Sequence, residues 1–69
     1  MSSFSTRLLE LRKNKGDTVQ SMAEMLGISG RAYQYYEEGK REPNFGNLIL
    51  LCRYYHVSSD YLLGLSDKP

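Results

Sequence analysis

The sequence predicts an all-α fold, one compact domain of five short helices. Three observations carry that expectation. Apolar residues recur at the 3.6-residue helical period in several segments, and nowhere does the alternation of a half-buried strand appear. Glycines and cap-forming Ser, Thr or Asn residues stand where those segments begin and end. The intervals between segments are a few residues long, the length of turns in a helical bundle.

The first helix is expected over Phe4 to Asn14. Phe4, Leu8 and Leu11 follow the i, i+4, i+7 spacing of one buried stripe, with Arg7, Glu10 and Lys13 outside it. Ser3 or Ser5 can cap its start, and Gly16 supplies a stop. Thr18 has the character of the N-cap of a second helix, with Asp17 adding negative charge at its positive end. Met22, Ala23 and Leu26 make the inner face of that helix, and Gly27 ends it. Ile28 and Ser29 alone separate this stop from the third helix, residues 30 to 38, which Ser29 caps and Gly39 ends. Two short helices joined through Leu26-Gly27-Ile28-Ser29 have the sequence form of a helix-turn-helix.

Residues 39–44, GKREPN, read as a charged loop fixed by Pro43. Asn44 caps a fourth helix with Phe45, Leu48, Leu51, Cys52 and Tyr55 on one stripe. After His56 and Val57, Ser58 caps a short fifth helix, with Tyr61 and Leu62 inward and Gly64 as its stop. Residues 1–64 are thus the expected domain and residues 65–69 a tail.

At 69 residues, with nine Lys/Arg against eight Asp/Glu, the chain carries a formal net charge of +1. A chain of this size buries only about 60% of its unfolded surface, so the core has to be economical. Domains this small often add a disulfide, a metal or oligomerisation. Cys52 is the only cysteine and His56 the only histidine, which excludes an internal disulfide and leaves a four-ligand zinc site unfilled. Cys52 is therefore expected as a small buried hydrophobe and His56 as a helix-end residue. No metal or small-molecule cofactor is expected, and oligomerisation is the remaining route to added stability. Neither a Ser-His-Asp nor a Cys-His arrangement is present, and the chain has too little bulk to enclose a pocket of about 300–1,000 Å³, so an enzyme is not expected. No apolar run approaches the roughly 20 residues of a membrane span, and the N-terminus does not have the form of a signal peptide. The reading is a cytoplasmic protein without a membrane partner. So small a net charge argues almost nothing about nucleic acid; the placement of the charges has to decide.

The motif supplies a placement. In a helix-turn-helix the second helix enters the major groove with its N-terminal residues at the base edges. The first lies across the phosphate backbone, where its N-terminal N–H groups can bind phosphate. Here those groups follow Thr18, around Val19 and Gln20. The helical period divides the third helix, with residues 32, 33 and 36 on one side and 31, 34, 35 and 38 on the other. Ala32 would fit against the preceding helix, and Tyr33 and Tyr36 would pack beneath the motif as core aromatics. Ser29, Gly30, Arg31, Gln34 and Tyr35 are the expected base-contact set. Arg31 leads it, because Arg to guanine O6/N7 is the commonest specific contact, worth about 1–3 kcal/mol of discrimination. Gln34 suits adenine or a phosphate, and Tyr35 a thymine methyl or a phosphate. Thr18, Val19, Gln20, Lys40, Arg41 and Asn44 form the expected phosphate set, which positions the domain and does not read sequence.

One string runs from residue 7 to residue 64 without a gap. It comprises Arg7-Leu8-x-x-Leu11-Arg12, Gly16-x-Thr18, Ala23-x-x-Leu26-Gly27-x-Ser29, Tyr36-Glu37-x-Gly39-x-Arg41-x-Pro43, Leu48-x-x-Leu51-Cys52 and Val57-Ser58-x-Asp60-Tyr61-Leu62-Leu63-Gly64. It resembles the phage Cro/repressor-type helix-turn-helix family of transcription regulators, also called xenobiotic-response-element-like. The resemblance implies a lambda-repressor-like DNA-binding domain, a bacterial or phage origin, and a structural ion pair of Arg12 with Glu37 tying the first helix to the recognition helix. Departures from the pattern stand beside it. Gln usually follows the Thr18 position in the family; here it is Val19, with Gln20 next. Either Gln20 holds the phosphate from a rotated position, or the contact falls to backbone N–H groups and Thr18. Gly30 replaces a residue that is often long and polar, which removes a base reader and lets the backbone approach. His56 stands where Gly is usual, and a non-Gly left-handed C-cap is uncommon.

Leu50 and Tyr54, at positions usually polar or small, are i, i+4 neighbours, and Leu65 lies beyond the fifth helix. Singly exposed apolar residues are ordinary; a dimer interface is the other reading. A symmetric dimer would set two recognition helices about 34–36 Å apart and require a near-palindromic site. The sequence thus points to a sequence-specific regulator of double-stranded DNA, a phage- or immunity-type repressor acting as a homodimer at the nucleoid. The alternative is a protein-interaction or antitoxin module on the same fold, motivated by the small net charge and the missing Gln at position 19. Arg31, Gln34, Lys40 and Arg41 on one face would favour DNA.

Overall fold

The computed structural model describes residues 3–69, which form α1 (Ser3–Lys15), α2 (Val19–Leu26), α3 (Gly30–Glu38), α4 (Phe45–Tyr55) and α5 (Ser59–Leu62). No strand occurs among the described residues. Every helix start after the first falls where cap chemistry placed it. Thr18, Ser29, Asn44 and Ser58 each accept, through a side-chain oxygen, a hydrogen bond from the backbone N–H three residues on. At Thr18 the exchange is reciprocal, because its own N–H donates to the Ser21 hydroxyl at 3.1 Å. Such caps satisfy donors that the first turn leaves unpaired, each worth about 1 kcal/mol.

Gly27 closes α2 in the left-handed region at φ 70°, and this lets the chain turn at once into α3. The same conformation at the end of α4 is held by His56 at φ 56°, the departure anticipated there. The start of α1 corrects an expectation. Ser3 and Ser5 both lie inside the helix, Ser5 buried, so neither caps it; the position before Ser3 falls outside the described residues.

Phe4, Leu8, Met22, Ala23, Leu26, Tyr33, Tyr36, Leu51 and Leu62 build the core, with Leu11, Leu48, Cys52 and Tyr55 packed at its margin. α2 packs on α3, α1 on α3 and α5, and α4 on α5. The helix-turn-helix therefore rests on α1, with its second helix held from below by two tyrosines. Burial pushes the Cys52 thiol above its ordinary value, in keeping with a packing role.

Phe45 is a second correction. Expected on the inner stripe of α4, it is 84% exposed. The inward direction of α4 is set by Leu51, which is fully buried. At 3.6 residues per turn Phe45 stands about 120° around the helix from Leu51, beyond the edge of the buried arc.

Within the segment expected as a tail, Leu65 and Ser66 are fastened to α5, and Ser66 and Asp67 to α1. The Leu65 and Ser66 N–H groups both donate to the Asp60 carbonyl. Arg7, expected outside the stripe, donates to the Tyr61 and Ser66 carbonyls, pairs with Asp67 at 2.9 Å and lies 4.2 Å from the Tyr61 ring centre. Tyr61 is thus half-buried beneath Arg7 and outside the core. At Gly64, φ 82°, a Cβ would collide with the Ser3 side chain, so the close approach of α5 to α1 requires glycine.

Candidate nucleic-acid interface

The outer surface of α3 follows the predicted division. Tyr33 and Tyr36 are buried, their rings edge-to-face at 6.2 Å, while Ser29, Arg31 and Gln34 are exposed. Ala32 is half-buried on the inner side. Ser29 is occupied as a cap, its hydroxyl accepting from the Ala32 N–H at 3.1 Å. That leaves Arg31 and Gln34 as the long side chains free to reach outward from the start of the helix.

At the start of α2, Val19 and Gln20 face differently. Val19 is half-buried against the core, whereas Gln20 is exposed. The Gln20 amide donates to Glu24 at 3.2 Å, and its oxygen lies 3.7 Å from where a Cβ on Gly30 would stand. Gln20 therefore spans the gap between the starts of α2 and α3. Val19 offers that surface its backbone alone.

Tyr35 is half-buried and shares its ring with the loop that follows. Lys40 and Arg41 approach the ring centre at 5.8 and 5.5 Å, a cation–π distance. Their N–H groups donate to the Tyr35 carbonyl at 2.9 and 3.3 Å. One residue thus anchors both cations by ring and backbone. Lys40 also lies 3.4 Å from Glu38, an exposed pair of small energetic weight. Asn44 caps α4, its Oδ1 accepting from the Asn47 N–H at 2.8 Å.

Beneath this surface lies a closed polar layer. The Arg12 Nε and Nη2 donate to the two Glu37 oxygens at 2.6 and 3.1 Å, the pair that the resemblance implied. Its Nη1 donates to the Asp17 carbonyl at 3.1 Å. The Tyr33 hydroxyl donates to Glu37, and the Tyr36 hydroxyl accepts from the Asn47 amide. The hydrogen bond to Glu37 raises the Arg12 guanidinium further above its usual value. Burial first, and the bond to Glu37 second, push the Tyr33 phenol well above its ordinary value.

Asp17 is a site residue that sequence reasoning took only for a dipole-compensating charge. Its carboxylate accepts from the Tyr54 hydroxyl at 2.9 Å and the Tyr55 hydroxyl at 3.4 Å. Tyr54, read as a candidate interface residue with Leu50 and Leu65, is half-buried and committed inward, with Lys15 4.7 Å from its ring centre. A further exposed apolar surface lies between α4 and α5. Phe45, Leu48, Ile49, Cys52, Arg53, Ser59 and Leu63 line an open groove of about 470 Å³ between α4 and α5. Leu50 and Leu65 are exposed but do not line it.

A short helix packed on the one before it, with exposed Arg and Gln side chains near its start and Lys40 and Arg41 on the loop beyond its end, has the form of a helix-turn-helix. The profile of the helix-turn-helix family matches residues 8–62. The HTH-type transcriptional regulator YobD of Bacillus subtilis is 41% identical over 66 residues, an alignment that takes in 96% of this chain and 59% of that protein. A transcriptional regulator from Listeria innocua superposes with a TM-score of 0.86 at 36% identity, over 88% of this chain and 57% of its own. The P22 c2 repressor, solved in complex with a synthetic operator, superposes at 0.80 with 32% identity, over 87% and 91%. The chain belongs to the helix-turn-helix family, in its phage Cro/repressor-type branch. It spans 59%, 52% and 56% of the length of three of the curated relatives it matches.

Proposed function

We propose that this chain is a sequence-specific double-stranded DNA-binding transcription regulator, a repressor of the phage or immunity type. On this reading it binds a near-palindromic operator as a homodimer at the nucleoid, and it catalyses nothing. One observation carries the reading: Arg31 and Gln34 project from the exposed start of α3, with Gln20 on one side and the Lys40–Arg41 loop on the other. Arg31 reads a base, Gln34 a base or phosphate, and Thr18, the Val19 N–H, Gln20, Lys40, Arg41 and Asn44 hold the backbone. The similarity to the P22 c2 repressor, which its structure shows on an operator, supports the assignment.

The homodimer is supported by the apolar groove with Phe45, Ile49 and Leu63 at its rim. Selection of duplexes from a random pool tests the reading. The expected product is a two-fold symmetric consensus with half-sites about one helical turn apart; a pool without enrichment would refute it. Sedimentation of Ile49→Glu should show weakened self-association, and an unchanged dimer would remove the groove as the interface.

A further inference from the structure

We propose that Tyr54 and Tyr55 are positioning residues for DNA binding: they hold the Asp17 carboxylate beneath the α1–α2 turn and so set the place of the Thr18–Gln20 phosphate contact. The proposal rests on the DNA-binding reading and adds to it residues that touch no DNA.

Asp17 immediately precedes the N-cap of α2, and all of its polar groups are engaged. Its N–H donates to the Arg12 carbonyl at 3.1 Å, and its carbonyl accepts from the Arg12 guanidinium at 3.1 Å. Its carboxylate accepts from the Tyr54 hydroxyl at 2.9 Å, and at 3.4 Å it shares the single Tyr55 hydroxyl proton with the Met22 sulfur, 3.2 Å from that oxygen. Through these bonds the turn is fixed from α1 and α4. Through Arg12 and Glu37 it is also tied to α3. The first N–H groups of α2 and the base-reading tip of α3 thus share one frame.

The sign of the charge makes the arrangement necessary. A carboxylate beside a helix N-terminus is drawn to the same N–H groups that would bind a phosphate, and Asp is among the best residues at capping them. A free Asp17 side chain would compete with DNA for that place and repel its charge. The two phenols supply donors on the inner side, and Lys15 over the Tyr54 ring adds positive charge there. Removing the hydroxyls leaves the negative charge in place without the donors that hold it inward.

The test measures binding of one selected and one random duplex over a range of salt, for the full chain and for Tyr54→Phe/Tyr55→Phe. Both are also measured with Asp17→Asn, each protein well below its own melting temperature. The tyrosine double variant should bind both duplexes about tenfold more weakly, the scale of one hydrogen bond to a charged group. Its salt slope should flatten by about 0.9 per half-site, as for a lost phosphate contact, with base preference unchanged. In the Asp17→Asn background the same substitutions should have no further effect on affinity or slope. A variant that melts earlier yet keeps its affinity and slope would overturn the proposal, as would equal losses in both backgrounds. Failure of the unsubstituted chain to bind any duplex would instead refute the DNA-binding reading beneath it.

Discussion

The outer and inner polar layers of the helix-turn-helix half use similar residue types to opposite ends. Outside, Arg31 and Gln34 are exposed at the start of α3, and Lys40 and Arg41 rest on the Tyr35 ring with their charged ends accessible. Inside, Arg12, Asp17, Tyr33, Glu37, Tyr54 and Tyr55 bond almost wholly to one another. Burial explains the contrast. A desolvated polar group must find its partner within the fold, so the inner layer converts its hydrogen bonds into fixed geometry. A solvated one remains available to a ligand. Arg12 and Arg31 differ not in chemistry but in whether a carboxylate already occupies them.

Breaking the inner layer should cost stability most. Glu37→Ala leaves Arg12 and Tyr33 without their acceptor, and removal of one partner from such a pair costs about 3 kcal/mol; urea unfolding would measure it. Arg31→Ala should do the reverse. Stability should stay within about 0.5 kcal/mol of the parent, while discrimination at one or two base positions falls by about 1–3 kcal/mol in competition binding.

A smaller effect belongs to alkaline pH. The folded state holds the Tyr33 proton more tightly than the unfolded chain, whose phenol titrates near 10.0. The contribution is therefore complete below pH 10 and is lost as pH rises towards the folded-state value. Tyr55, raised mainly by burial, acts in the same direction. The melting temperature should decline from about pH 10 upward, and less steeply in Tyr33→Phe. The smallest effect is expected for Lys40→Ala. All duplexes should weaken alike, the salt slope should flatten by about 0.9 per half-site, and unfolding should be unchanged.

The sequence made the local features legible. Thr18, Ser29, Asn44 and Ser58 announce helix starts because capping is a contact over three residues. The split of Tyr33 and Tyr36 from Arg31 and Gln34 follows from the period of a single helix. The misses are contacts across the chain. Phe45 shared a periodic stripe with Leu48 and Cys52, but periodicity does not say which edge of a stripe faces the core. The Asp17 bonds to Tyr54 and Tyr55 span 37 and 38 residues, and the Arg7 clamp on Ser66 spans 59. Two adjacent tyrosines on α4 signalled hydroxyls in need of acceptors, and only the fold identifies the acceptor. Tyr35, expected to face outward, is half-buried, and its service to Lys40 and Arg41 depends on how the loop returns past Gly39.

The central claim is that the outer face of α3 reads sequence while the layer beneath it only holds that face in place. Measuring Arg31→Ala and the parent against the selected duplex and its single-base variants tests this most directly. The account predicts that Arg31→Ala loses discrimination at the same position in each half-site and keeps its salt-dependent affinity for random DNA. Retention of the parent's full base preference by Arg31→Ala would contradict it.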